Sequence, residues 1–322
     1  MFRIVHISDL HLEFDESPSW RELAGKRMVG YHNWRLRRRH RHKRRILDRL
    51  MADVASQRPD HIVISGDLVN LALPGEFRAA ADWLRALGRP ERISVVPGNH
   101  DTYVRMPFDR SIGLWRDYMT GDEAMREWFA GGQFSFPYVR VRGQVAFIGL
   151  SSAVPTPPLM AYGTLGRSQI ERLAVILRRL AREDLYRIVV VHHPPLSASA
   201  AWWTQLTDDK ALQAVLKSNG AELVLHGHLH RRSIRYLEGP KGITPVVGVP
   251  SASLVYSENR PSAAYHIYNI DGSGRSSSLE ILTRSLKAMG RGFSDAAFAE
   301  SSALPEFLRG RQAAAAARAI SL

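Results

Sequence analysis

Cysteine is absent from the 322 residues. That removes disulfides, thiolate metal ligands and a cysteine nucleophile together, so any metal must be held by His, Asp, Glu or Asn. Long apolar runs are absent as well: none approaches the roughly 18–20 residues that a spanning helix needs. Met1 to Ser8 is too short for the charged and apolar regions of a secretory leader. The expectation is a cytoplasmic protein, free or peripheral at the inner membrane face. Acidic side chains are in short supply, with 31 Asp and Glu against 44 Lys and Arg, which leaves a net charge of +13. The 45% hydrophobic share excludes a wholly disordered chain. The length suffices for a core that needs no cross-link.

The surplus charge is local. From Arg21 to Arg49 there are 12 Lys and Arg against Glu22 and Asp48, so this stretch holds +10 of the +13. A balance of this kind points to an anionic partner: a phosphate-bearing substrate, a nucleic acid or an anionic membrane.

Hydrophobic periodicity orders the rest. Phe2 to Ser8, His61 to Ser65 and Ile93 to Val96 read as short strands, with helices over Arg44 to Ala55 and Gly75 to Leu87 between them. Such alternation suggests parallel β-α-β units. Phe134 to Val141 and Gln144 to Leu150 read as strands about a turn at Arg142-Gly143. Helices over Arg167 to Ala181 and Asp209 to Ser218, the latter capped by Asp208, flank strands at Arg187 to Val191 and Glu222 to Leu225. Short strands follow near Ile234, Val246, His266 and Leu279. One catalytic domain over 1–286 is expected, with an insertion at about 17–45. An Ala/Arg-rich tail over 287–322 is expected to be a loose helix or partly disordered.

Five clusters directly follow strands: Asp9-Leu10-His11, Gly66-Asp67, Gly98-Asn99-His100-Asp101, His192-His193-Pro194 and Gly227-His228-Leu229-His230. Ligands of α/β sheets bind beyond the carboxyl ends of strands. Residues two apart in extended chain point to the same side, so Asp9/His11 and His228/His230 can act as pincers. The glycines before Asp67, Asn99 and His228 permit tight turns. Mixed imidazole and oxygen ligands suit Zn, Mn, Fe or Co. Asp9, His11, Asp67, Asn99, one of His192 and His193, His228 and His230 make seven candidates. That number exceeds one tetrahedral ion and suits two ions about 3.5–4 Å apart that share a carboxylate. His193, His6 and His226 read as local packing or hydrogen-bonding residues, and His61 as a strand start. Asp101 has the bland alternative of a helix cap. Nothing resembles a G-x-S-x-G elbow or a phosphate-binding P-loop, which disfavours serine hydrolases and P-loop NTPases.

The ordered set D-x-H, G-D, G-N-H-D, H-H-P and G-H-x-H resembles the calcineurin-like metallophosphoesterase superfamily over roughly Met1 to His230. The resemblance implies a four-layer α/β/β/α sandwich of two mixed sheets flanked by helices. It implies a first ion on Asp9, His11, Asp67 and His230, and a second on Asp67, Asn99, His192 and His228. It also implies His100 as the acid that protonates the leaving oxygen and Asp101 as the group that orients it. The chemistry then expected is hydroxide attack on phosphorus in line, with no covalent enzyme intermediate. The cofactor is two divalent ions, Mn, Fe or Zn.

Substrate choice must come from elsewhere. The insertion interleaves Trp20, Met28, Val29, Tyr31, Trp34 and Leu36 with cations. It reads as an interfacial segment that meets anionic lipid through Trp20, Trp34, Arg35, Arg37, Arg38, Arg39, Arg41, Lys43, Arg44 and Arg45. The alternatives are nucleic-acid binding, which is less favoured, and a solvated helical face. A membrane-facing insertion leans toward a lipid-linked nucleotide diphosphate such as UDP-diacylglucosamine. The same motifs also resemble those of cyclic-nucleotide phosphodiesterases and glycerophosphodiesterases. A binding module without catalysis is the reading from another class.

Overall fold

The computed structural model describes residues 1–14, 17–126, 136–196, 201–240, 242–259, 261–272, 274, 277–287 and 292–296. Two six-stranded mixed sheets face one another. The first has the order β12-β11-β10-β1-β2-β3, built from β1 (Phe2–Ile7), β2 (His61–Ile64), β3 (Ile93–Val95), β10 (Ala264–Asp271), β11 (Ser278–Leu286) and β12 (Phe293–Asp295). The second has the order β4-β5-β6-β7-β9-β8, built from β4 (Tyr138–Arg142), β5 (Val145–Gly149), β6 (Tyr186–Val190), β7 (Leu223–His226), β8 (Ser233–Gly239) and β9 (Gly242–Gly248). β1, β2 and β3 run parallel, as do β5, β6, β7 and β9, while the outer pairs β1/β10, β10/β11, β11/β12, β4/β5 and β8/β9 are antiparallel.

Each sheet has helices on its outer face. α3 (Arg44–Ser56) and α4 (Pro74–Leu87) turn Ile46, Leu47, Leu50, Val54, Phe77, Ala80 and Leu84 inward at helical spacing. α6 (Arg167–Leu180) and α7 (Asp209–Asn219) bury Leu173, Leu177, Leu180, Leu212 and Leu216 in a second cluster with Ile148, Val189 and Val224. Between the sheets lie Ile4, Val63, Phe147, Ile188, Val190 and Leu225. The strands that are covered on both sides read as continuous apolar runs, as expected for buried parallel strands. The four-layer α/β/β/α sandwich of two mixed sheets is therefore the observed fold. Three shorter α-helices also lie among the described residues: α1 (Lys26–Asn33), α2 (Arg39–Arg41) and α5 (Glu123–Arg126).

Three sequence expectations need adjustment. The strand expected over Phe134 to Val141 runs from Tyr138 to Arg142, and Phe134 lies outside the described residues. Asp208 stands before α7, but its carboxylate makes no cap bond there. It accepts instead from the amides of Leu165 and Gly166, at 2.8–3.1 Å, and so secures the entry to α6. Residues 293–295, placed in the tail by sequence, form the edge strand β12. The alanine run 313–317 lies outside the described residues.

Candidate metal centre

The five clusters all leave carboxyl ends of parallel strands. The loops after β1 and β2 are zipped together by Asp9 N to Gly66 O (2.9 Å), His11 N to Asp67 O (3.0 Å) and Leu12 N to Leu68 O (2.9 Å). Gly227 N to His192 O (3.1 Å) joins the loops after β7 and β6 in the same way. Among the described non-glycine residues nine have positive φ, and five of them are candidate ligands: Asp9, His11, Asp67, His228 and His230. Strain of this kind costs about 1–3 kcal/mol per residue and persists where surrounding structure enforces it. Of the three glycines, Gly66 has a positive φ of 105°. Gly98 and Gly227 serve close approach: a Cβ on Gly98 would strike the Asp67 carboxylate, and one on Gly227 would strike Ser8 Oγ and Asp9 Oδ2.

The donor atoms fall into two sets that meet at Asp67. The ligand atoms of Asp9, His11, Asp67 and His230 all lie within 4.8 Å of one another. Within this set His230 Nε2 is 3.1 Å from Asp9 Oδ1, and His11 Nε2 is 3.2 Å from His230 Nε2. On the other side of Asp67, His192 Nε2 is 3.5 Å from Asp67 Oδ2 and 3.1 Å from Asn99 Oδ1. His228 Nδ1 completes that set at 2.9 Å from Asn99 Oδ1.

Backbone carbonyls select the nitrogen that faces inward. His192 Nδ1 donates to Ser65 O (2.7 Å), His11 Nδ1 to Val69 O (3.3 Å) and His228 Nε2 to Thr204 O (2.9 Å). Each ring therefore turns its unprotonated nitrogen to the centre, the arrangement metal ligation requires. Burial lowers the pKa of His11 and His192 and takes His228 down to about 3, so these imidazoles stay neutral and able to coordinate.

The carboxylates test whether cations fit. Burial pushes the Asp67 carboxyl well above its ordinary range, and the neighbouring Asp9 and Asp101 add to this. Asp9 also feels burial, but the adjacent His230 brings it well below the ordinary value. Asp9 Oδ1 is buried, with His230 Nε2 beside it at 3.1 Å. Two buried carboxylates among inward-facing neutral imidazoles suit divalent cations.

Asn99 and His100 follow β3. His100 N donates to Asp67 Oδ1 (2.8 Å), and His100 Nδ1 meets the Asn70 carbonyl. That carbonyl, rather than Asp101, orients the ring. The Asp101 carboxylate is occupied by four backbone amides, those of Asp67, Leu68, Val69 and Gly98, at 2.8–3.1 Å. It clamps the two loops that carry Asp67 and Asn99. Asn70 Nδ2 donates to Leu12 O (2.8 Å), while Glu76 accepts from the amides of Asn70, Leu71 and Leu73 and shapes this loop from the first turn of α4.

His193 uses both ring nitrogens locally, with Ser152 Oγ (2.7 Å) and Ala161 O (3.1 Å), which leaves His192 as the candidate ligand of the pair. His6 pairs with Ser65 Oγ (2.8 Å) and His226 with Gly227 O (3.0 Å), and His61 opens β2.

The insertion is docked on the catalytic domain. Arg27 donates to the carbonyls of Leu71 and Ala72, and Gly30 sits against Tyr103 and Leu71. A π-helical turn, Trp34–Arg38, follows α1. Trp34 stacks on Phe14 (4.6 Å) and Tyr31 (5.7 Å). Its inclusion, and that of Arg38, in an outward membrane-facing set is corrected: Trp34 packs on the protein, and Arg38 points inward to His100. Arg35, Arg37, Arg39, Arg41, Arg44 and Arg45 are exposed, as is Trp20. Lys43 pairs with Glu13 at 3.0 Å.

Sequence reasoning also missed His42. Its ring is buried against Ser253 Oγ (2.8 Å) and packs 4.6 Å from His11. It lies within a basic run, and no spacing rule marks it.

Two mixed sheets and a paired donor set that shares one carboxylate define a metal-dependent phosphoester hydrolase. Residues 2–232 match the model of the calcineurin-like phosphoesterases, and the chain belongs to this family. It is 23% identical over 232 residues to a probable cyclic nucleotide phosphodiesterase of Synechococcus, covering 70% of this chain and 79% of the relative. A shorter match, 46% over 56 residues, links it to a glycerophosphodiester phosphodiesterase of Enterobacter lignolyticus, covering 16% of this chain and 19% of that one. A dimetal phosphatase from Danio rerio shares the fold with a TM-score of 0.56 at 14% identity, over 91% of this chain and 98% of the other.

Proposed function

We propose that the chain hydrolyses a phosphodiester of nucleotide type at a centre of two divalent ions, Mn, Fe or Zn. The observation that carries this reading is the position of Asp67 between two donor sets, with His100 beside it. Bound ions would supply Lewis-acid charge at the phosphoryl group and a water-derived nucleophile near neutral pH. Asp9, His11, Asp67 and His230 would hold one ion, and Asp67, Asn99, His192 and His228 the other. Asp101 keeps the Asp67 and Asn99 loops in register through its four amide contacts. The Asn70 carbonyl fixes His100 at Nδ1, which leaves Nε2 to face the ester oxygen and, once protonated, to donate to the leaving group. The Synechococcus relative, a probable cyclic nucleotide phosphodiesterase, supports a diester substrate.

A second reading, hydrolysis of a nucleotide–lipid diphosphate such as UDP-diacylglucosamine at a membrane surface, draws on one observation. Trp20, Leu36, Leu159 and Trp202 are 80%, 61%, 83% and 63% exposed. They lie on the insertion, on a loop that meets the insertion through Thr156 and Lys26, and on a loop that meets His228 through Thr204. The discriminating experiment is hydrolysis with added Mn of bis-p-nitrophenyl phosphate, cyclic AMP and UDP-diacylglucosamine in detergent. Preference for the two diesters supports the first reading. Preference for the lipid nucleotide, with release of UMP, replaces it with the second. No turnover of any of them by protein that holds its metals would reject both and leave a binding module.

A further inference from the structure

The metal centre makes no use of the feature that dominates the composition, the basic insertion. One of its arginines differs from the rest. Arg35, Arg37, Arg39 and Arg41 are exposed, whereas Arg38 is half-buried and enters the centre. Its Nη1 donates to His100 Nε2 and lies 3.2 Å from His100 Nδ1. The carboxylates that act on its charge are Asp67 and Asp9, both candidate metal ligands. No carboxylate of the described residues pairs with it at salt-bridge distance. A guanidinium placed in a pocket without a fixed anion is arranged for an anion that comes and goes. Its planar fork matches the oxygens of a phosphoryl group.

The backbone that carries Arg38 is held at both ends. On one side Arg27 and Gly30 dock on the Leu71–Ala72 loop and Tyr103, and Trp34 stacks on Phe14. On the other, His42 N closes on Arg38 O (3.0 Å), Lys43 N on Ser253 O (2.9 Å), and Val255 N on Arg41 O (2.8 Å). Arg38 also ends the π-helical turn, a departure from α-helix frequently found at functional sites. The side chain is therefore presented by fixed structure rather than by a free tail, which lowers the ordering cost when a ligand arrives.

We infer that Arg38 is a substrate-binding residue of this centre: its guanidinium moves from His100 Nε2 onto the non-bridging oxygens of the bound phosphoryl group. The move frees His100 Nε2 for the leaving oxygen. The basic insertion is then an arm that completes the site, and its outward cations are a separate matter. This inference rests on the reading that a phosphoryl ester binds beside His100.

The test uses the full chain loaded with Mn, in wild-type form and as Arg38→Ala and Arg38→Gln. Gln can keep the hydrogen bond to His100 while it loses the charge. Calorimetric titration with inorganic phosphate should show affinity at least about tenfold weaker in both variants, the usual scale for a lost charge-assisted hydrogen bond. Metal content should stay unchanged, and kcat/KM for bis-p-nitrophenyl phosphate should fall about 100-fold, as when an electrostatic donor is removed. Phosphate affinity within twofold of wild type in Arg38→Gln would overturn the inference. Loss of metal from that variant would also overturn it, because Arg38 would then be a prop for the ligands. If wild type binds phosphate but hydrolyses none of the esters, the proposed function fails, while the phosphate titration still decides Arg38.

Discussion

The strand-end cradle and the basic insertion reach the same point by opposite means. In the cradle every candidate ligand is set by its own strand: β1, β2, β3, β6 and β7 each deliver a short motif, and hydrogen bonds between adjacent loops fix the spacing. In the insertion no strand sets direction. Ten positive charges in excess lie within 29 residues, and which of them faces the centre follows from how the segment docks on Tyr103, Leu71 and Phe14. The cradle is local chemistry repeated five times. The insertion is a tertiary arrangement that happens to end at His100.

The contrast ranks the expected effects of substitution. Asp67→Ala should be the most severe. It removes the donor common to both sets, and hydrolysis should fall by at least about 10³-fold, beyond the 10–100-fold typical of groups behind the ligands. Bound metal should fall with it, as measured by elemental analysis, and turnover within tenfold of wild type would break the shared-carboxylate account. Asp101→Ala comes next, through stability. It leaves four buried amides without their acceptor, at about 1–3 kcal/mol per unsatisfied group. A loss of at least about 3 kcal/mol in urea unfolding is expected. Unchanged stability with altered leaving-group dependence would restore Asp101 as a partner of His100.

His100→Asn should retain the metals and slow esters with poor leaving groups by about 10²–10³-fold, while p-nitrophenyl esters suffer less. An equal loss for all leaving groups would reject the acid role. On the insertion side, Trp34→Ala removes the stack that seats the arm. Aromatic pairs contribute about 0.5–1.5 kcal/mol beyond their buried area, so KM should rise by a factor of about 2–10 with metal content unchanged. A KM equal to wild type would separate the docking of the arm from the site.

The last effect concerns pH and belongs to the sheets beneath the cradle. Burial holds His226 at about 4 and His266 at about 3, both below the ordinary 6.5. Between pH 6.5 and about 4 the unfolded chain therefore binds more protons than the folded one, so stability falls as pH falls through that window. Each such histidine contributes more than about 1 kcal/mol per pH unit at full titration. His226→Asn should flatten the stability profile from urea melts, and an unchanged slope would show that this residue is not held neutral by the fold.

The clustering of the candidate ligands was legible because its information is short-range. A D-x-H or G-H-x-H after an apolar strand places the side chains whatever the rest of the chain does, and Gly66, Gly98 and Gly227 announce where space is tight. The reach of the Asp101 and Asp208 carboxylates was not legible, for the same reason. Each stands where a local rule assigns it a nearby partner, yet its carboxylate is drawn to amides of another loop. Trp34, Arg38 and His42 were not legible as site residues. Composition and spacing assign Trp and Arg in a basic segment to the outside, and only docking shows which ones turn inward. The last turn of the first sheet was misplaced because the residues after Leu286 have no apolar alternation, and Phe293 enters the core as a single edge residue.

The account stands on two ions that share Asp67. The most direct test is calorimetric titration of the chelator-stripped wild-type chain with Mn, checked by elemental analysis of the dialysed product, beside Asp67→Ala. The account predicts close to two equivalents for wild type and at most one for the variant. One equivalent in wild type, or two retained by Asp67→Ala, would contradict it.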